Sequence, residues 1–183
     1  MPQLRLDAGR VVKFLVGLLN TPSPTGYSVE AIPYVEEAFA GLGIPDLALE
    51  RTPKDALVMR WPGERHDAPR GLTAHVDTLG LMVKEIKPDG RLKLTQLGHF
   101  MWNAVEGEGV TVRTADDRRL RGTVLPVQAS VHIHDEAGDE PRTEETMEVR
   151  LDARTRSADE TRALGVEVGD FVFLDPRVEI GAE

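Results

Sequence analysis

Apolar positions along the chain follow two rhythms, a helical one first and a strand-like one after it. Val11, Phe14, Leu15, Leu18 and Leu19 fall at i, i+3, i+4, i+7 and i+8, one face of an α-helix. Asp7 fits its N-cap. Thr21-Pro22-Ser23-Pro24-Thr25-Gly26 holds two X-Pro pairs and a glycine, so the helix must end by Asn20. A second stripe, Ile32, Val35, Phe39 and Leu42, predicts a helix over 28–40, with Pro33 near its first turn and Gly41 and Gly43 as C-cap positions.

Short apolar runs follow. Leu47, Leu49 and Arg51 alternate with their neighbours, 56–61 is a compact run closed by Pro62-Gly63, and 71–75 is another after a polar loop. Two helices and then closely spaced strands predict the opening of an α/β sandwich whose buried central strand carries His75. After Asp77 the spacing predicts two β-hairpins. One joins 81–86 to 91–96 through Lys87-Pro88-Asp89-Gly90, the other joins 109–114 to 119–124 through Asp116-Asp117. A strand over 147–151, a short helix from the capping box Ser157-Ala158-Asp159-Glu160 to Gly165, and a strand over 171–174 complete the pattern. Many short strands with one small helix predict a β-barrel over 79–171, inserted into an α/β core made of 1–78 and 172–183.

The chemistry concentrates at His75-Val76-Asp77. In a strand, residues two apart point the same way, so His75 and Asp77 would project together from its end. A metal-ligating histidine passes its second ring N–H to a carboxylate, which fixes the tautomer and sharpens the other nitrogen as a donor. A structural His–Asp hydrogen bond at a strand end gives the same pattern, and on this motif alone that reading comes first. Carboxylates crowd 135–145 near His132 and His134, but their spacing matches no metal cage, and a solvated loop is the default. His66 lies in a polar loop. His99-Phe100-Met101-Trp102 reads as core or subunit contact rather than a substrate box.

Composition narrows the classes. With 22 Lys and Arg against 31 Asp and Glu the net charge is −9, and no basic cluster offers a face for nucleic acid. The absence of cysteine removes disulfides, thiolate metal sites and a cysteine nucleophile. The apolar stretch 11–19 contains Lys13 and is too short for a bilayer, so no membrane partner is expected, and a soluble, cytoplasmic protein is. A glycosidase would need a pair of carboxylates flanking the scissile bond, and no such pair stands out.

Several ordered segments together resemble the M42 metallo-aminopeptidases. They are Pro22-Ser23-Pro24-Thr25-Gly26-Tyr27, Ala74-His75-Val76-Asp77, Gly80-Leu81-Met82-Val83-Lys84-Glu85-Ile86, Gly122-Thr123-Val124 leading to His132, and the run from Leu164 to Val172. Asp77-Thr78-Leu79-Gly80, Leu125-Pro126 and Ala129-Ser130 further resemble the branch associated with osmoprotectant (N-acetylglutaminylglutamine amide) gene clusters. The resemblance implies a zinc-exopeptidase-like α/β sandwich interrupted by a barrel that serves homo-oligomer contacts. It implies two divalent metal ions, zinc or cobalt, acting on N-terminal residues of peptide substrates. It makes His75 a metal ligand and Asp77 the catalytic-site carboxylate that orients its ring. His132 matches a recurrent histidine of the insert.

The remaining family ligands and the general base lie after the insert in that pattern, and none of those motifs occurs here. Asp170 and Asp175 are the nearest late carboxylates and belong to the returning strand and its turn. One histidine with an orienting carboxylate is fewer donors than a zinc site needs. The chain is therefore expected to be an N-terminal portion, inactive alone, whose incomplete sheet leaves apolar surface that self-association would cover. The alternative is a non-catalytic oligomerisation or interaction protein built on the same fold.

Overall fold

A computed structural model describes residues 6–181. They divide into two compact units, one made of the residues up to Asp77 with those from Pro176 onward, the other Thr78–Asp175.

In the first unit, α1 (Ala8–Leu19) is capped by Asp7, whose carboxylate accepts the Arg10 N–H at 3.0 Å. It stops at Asn20, ahead of the two X-Pro pairs. α2 (Ala31–Ala40) packs on it through rings: Phe14 stacks on Tyr34 at 5.6 Å between centroids and meets Phe39 edge-on at 6.4 Å. Tyr34 also donates to the Phe14 carbonyl at 3.0 Å. Gly17 permits this approach, because a Cβ there would lie 2.0 Å from the Tyr34 hydroxyl oxygen. α2 starts at Ala31 rather than at residue 28, and the Ser28 hydroxyl ahead of it donates to Asp55 at 2.6 Å. Pro33 still falls within the first turn, where its missing N–H costs nothing. β1 (Ala48–Arg51) and β2 (Leu57–Arg60) form a two-stranded antiparallel sheet with Ala48 opposite Arg60, and Arg51 reaches Glu36 on α2.

The predicted central strand is not formed. Residues 71–77 have no strand pairing, 71–75 are exposed, and Leu72 is 98% exposed. An apolar run becomes a strand only where neighbours accept its main-chain hydrogen bonds. Here β1 and β2 pair with each other, and no described strand lies beside 71–77. The same want of neighbours leaves Val11, Leu15 and Leu19 of α1 exposed.

The second unit is a closed six-stranded barrel in the order β3-β4-β7-β6-β5-β8. Its strands are β3 (Gly80–Ile86), β4 (Leu92–Leu97), β5 (Gly109–Arg113), β6 (Arg119–Pro126), β7 (Met147–Leu151) and β8 (Phe171–Leu174). Alternation fills the interior: Leu81, Val83, Leu92, Leu94, Val110, Val112, Val124, Met147, Val149 and Val172 are all buried. Both predicted hairpins form, the first turning through Gly90 at φ +86° and the second through Asp117 at φ +64°. α3 (Ala158–Ala163) is capped by Ser157 and ends before Gly165, at φ +89°. The Thr161 hydroxyl on α3 donates to the Gly90 carbonyl at 2.8 Å.

The barrel extends further than the hydropathy pattern indicated. β8 was expected to return to the core from residue 172, yet Val172 pairs with Leu81 of β3 and Val112 of β5, so β8 is the closing strand. The seam between β4 and β7 is the shortest in register, with Leu92 opposite Val149 and Lys93 opposite Glu148. Charge reinforces it. Lys87 Nζ lies 2.6 Å from the buried Glu148 carboxylate, Arg91 holds its other oxygen, and Lys84 and Lys93 pair with Glu144 and Glu145.

Candidate functional site

His75 and Asp77 meet, although not by sharing a strand face. His75 Nδ1 lies 3.1 Å from the Asp77 carbonyl oxygen and 3.1 Å from Asp77 Oδ1. Both neighbours are acceptors, so Nδ1 carries the proton and donates, which leaves the Nε2 lone pair open. The other carboxylate oxygen of Asp77 accepts from the Thr25 hydroxyl at 2.7 Å. That hydrogen bond is the leading cause that holds the Asp77 carboxyl below the usual aspartate range.

The turn that presents Thr25 follows from its sequence. Tyr27 N–H donates to the Pro24 carbonyl at 2.8 Å, and Gly26 sits at φ +92°, a conformation that glycine takes without Cβ strain. Tyr27 is buried and donates to Glu30 at 2.7 Å, which anchors the end of the turn. Thr25 was not singled out as a site residue by spacing. Its partner lies 52 residues away, and only the Pro-Thr-Gly turn signal marks the place.

The other candidates do not gather around this pair. His66, His99 and His132 are exposed, and the carboxylates of 135–145 form no cage; among the described residues no three His, Asp or Glu side chains converge on a metal position. Arg142 instead organises that segment, gripping Glu106 at 2.7 and 3.0 Å and the carbonyls of Ala137 and Glu140. The Phe100–Trp102 pair belongs to the barrel core with rings edge-on at 5.9 Å, while Met101 points to solvent. Asp170 accepts from the Glu167 N–H at 2.8 Å, and burial raises its carboxyl above the usual range. Asp175 is held by Thr111 at 3.1 Å and Arg121 at 2.5 Å. The described residues thus supply one oriented imidazole, and a zinc site takes typically three or four donors. They fit one corner of a metal site and do not complete it.

A family model described as M42 glutamyl aminopeptidase matches residues 55–183. YhfE of Bacillus subtilis (strain 168), which carries an aminopeptidase name, is 43% identical over 171 residues, 93% of this chain and 49% of its own. A solved TET aminopeptidase from the marine sediment archaeon Thaumarchaeota archaeon SCGC AB-539-E09 superposes with a TM-score of 0.76 at 22% identity, covering 96% of this chain and 47% of that one. The Pyrococcus horikoshii TET1 peptidase, described as able to assemble into a tetrahedron or a large octahedral shell, gives 0.63 at 17% identity, covering 89% and 46%. The chain spans about half the length of these relatives. At these identities the solved structures speak for the α/β fold with its barrel, and the family match over residues 55–183 goes further: the chain belongs to the M42 glutamyl aminopeptidase family.

Proposed function

We propose that these residues form the opening part of a two-metal aminopeptidase that removes N-terminal residues from peptides. The observation that carries this is the chain of contacts Thr25–Asp77–His75, which fixes one imidazole tautomer and presents Nε2 outward. On this reading His75 binds one of two divalent ions, zinc or cobalt, and Asp77 positions its ring. When bound, such ions supply Lewis acidity and a water of lowered pKa for hydrolysis. The remaining donors and the general base come from polypeptide outside the described residues, so this chain by itself does not hold the metal pair tightly and does not turn over peptide.

The barrel, on the same reading, mediates homo-oligomer contacts in the cytoplasm. Exposed Val131 and Ile133 beside His132 support that role, as does the assembly described for the Pyrococcus horikoshii relative. Asp77-Thr78-Leu79-Gly80 supports placement in the osmoprotectant-associated branch. The test is hydrolysis of aminoacyl-p-nitroanilides with zinc or cobalt supplied. These residues alone give no turnover, and a polypeptide that adds the remaining donors gives turnover that His75→Ala abolishes. Turnover surviving His75→Ala contradicts the reading.

A further inference from the structure

Thr25, Asp77 and His75 are all exposed, so packing does not hold them in place. Their geometry rests on how firmly the turn that bears Thr25 is held from behind. That turn leads into α2, where the Ser28 carbonyl accepts the Ile32 N–H at 3.0 Å and the Glu30 carbonyl accepts the Tyr34 N–H at 3.2 Å. The Ser28 hydroxyl leaves α2 altogether and donates to Asp55 at 2.6 Å.

Asp55 lies in the connection 52–56 between β1 and β2. That connection is closed by its own bonds. Thr52 N–H donates to the Ala56 carbonyl at 2.9 Å, Asp55 N–H to the Thr52 carbonyl at 2.9 Å, and Ala56 N–H to the Thr52 hydroxyl at 3.0 Å. Asp55 takes φ +60°, where glycine would sit with less strain. What glycine cannot supply is the carboxylate. One oxygen accepts from Ser28, and the other lies 3.5 Å from Arg51, whose Nε donates to Glu36 on α2 at 2.8 Å. The contacts close a circuit: from the Thr25 turn along α2 to Glu36, through Arg51 to Asp55, and back to Ser28. All of it lies within the first unit. The side chains of Arg51, Glu36 and Asp55 are 33–37% exposed, so these ion pairs add little to stability. Their effect is geometric. A turn tied to α2 by its main chain and to the 52–56 connection by Asp55 has fewer orientations open to it than one tied at a single point.

We propose that Asp55 is a positioning residue for His75. By accepting the Ser28 hydroxyl it fixes the exit of the turn; Thr25 then holds Asp77, and Asp77 keeps the His75 proton on Nδ1 with Nε2 free. Asp55 touches neither metal nor substrate in this role. Its use in catalysis rests on the aminopeptidase reading, whereas the tautomer it enforces is a property of this chain without metal.

The experiment reads the ring-nitrogen NMR signals of His75 in the whole, metal-free chain, at a pH where the imidazole is neutral, beside the thermal transition. Asp55→Gly suits the backbone and removes the carboxylate, while Ser28→Ala removes the donor and leaves the 52–56 connection intact. Each lowers the ratio of the Nδ1–H to the Nε2–H tautomer by about three-fold, less than the loss of a directly orienting group would, and leaves the thermal transition in place. Asp55→Asn keeps an oxygen for the Ser28 hydroxyl and retains the native ratio. Thr25→Val, the direct reference, lowers the ratio further. An unmoved ratio in both Asp55→Gly and Ser28→Ala overturns the proposal. So does Asp55→Asn falling as far as Asp55→Gly, or a ratio that changes only where the thermal transition does. None of these results touches the aminopeptidase reading, whose own failure shows as turnover that survives His75→Ala.

Discussion

The two units of this chain use similar apolar content to opposite effect. In the barrel every strand has a partner on both sides, and its alternate residues are buried from Leu81 through Val172. In the first unit, α1 has no buried residue, β1 and β2 pair only with each other, and the apolar run before His75 is exposed. Hydropathy periodicity states which face would be buried; only the presence of neighbouring elements decides whether it is. The barrel finds its neighbours within about a hundred residues, and the peptidase-like segment does not find them among the described residues.

The largest expected effect breaks the barrel. Leu94→Ala empties a fully buried site and should cost about 3 kcal/mol, whereas Leu15→Ala on the half-exposed face of α1 should cost less than about 1 kcal/mol. Because two units need not unfold together, hydrogen exchange of barrel amides is the proper readout. Equal losses at the two positions would erase the contrast between the units.

Next in size is the charged seam. Glu148→Ala leaves Lys87 and Arg91 without their shared carboxylate at the shortest ladder of the barrel. Both cations keep access to water, so the cost should be about 2 kcal/mol rather than the larger loss of a fully buried pair. Amide exchange should rise first at Leu92 and Val149, and uniform exchange across the barrel would contradict a local seam.

Smaller still are two titrations of opposite sign. Burial raises the Asp170 carboxyl, so whatever this group contributes to stability is present below its unfolded pKa and lost as pH rises through its folded pKa. Asp170→Asn keeps an acceptor for the Glu167 N–H and should flatten that loss, by under about 1 kcal/mol, in unfolding measured across pH. Asp77 runs the other way. Its lowered carboxyl contributes above the unfolded pKa, and the contribution fades as pH falls through the folded value. Thr25→Val removes the leading cause, so the NMR titration midpoint of Asp77 should move up toward the ordinary aspartate range. An unmoved midpoint would show that Thr25 does not hold the carboxylate.

What could be read in the sequence divides along the same line. Asp89-Gly90, Asp116-Asp117 and Ser157 name turns and a cap by local chemistry, and they form where the chain says. Closure by β8 was not legible, because pairing Val172 with both Leu81 and Val112 is a property of the folded ring. Nor was the burial of Glu148, which alternation assigns to the outer face and which Lys87 and Arg91 then cover. At the candidate site, His75 and Asp77 were legible as a pair, but their contact comes through Nδ1 in an irregular segment rather than through a strand face. Thr25 was hidden by its distance along the chain.

The most direct measurement is a zinc titration of the chain followed by calorimetry and by the ring signals of His75. The account predicts weak binding that perturbs the His75 ring at Nε2, leaves the proton on Nδ1 donated to Asp77, and disappears in His75→Ala. Two tightly bound ions per chain, or tight binding that survives His75→Ala, would contradict it.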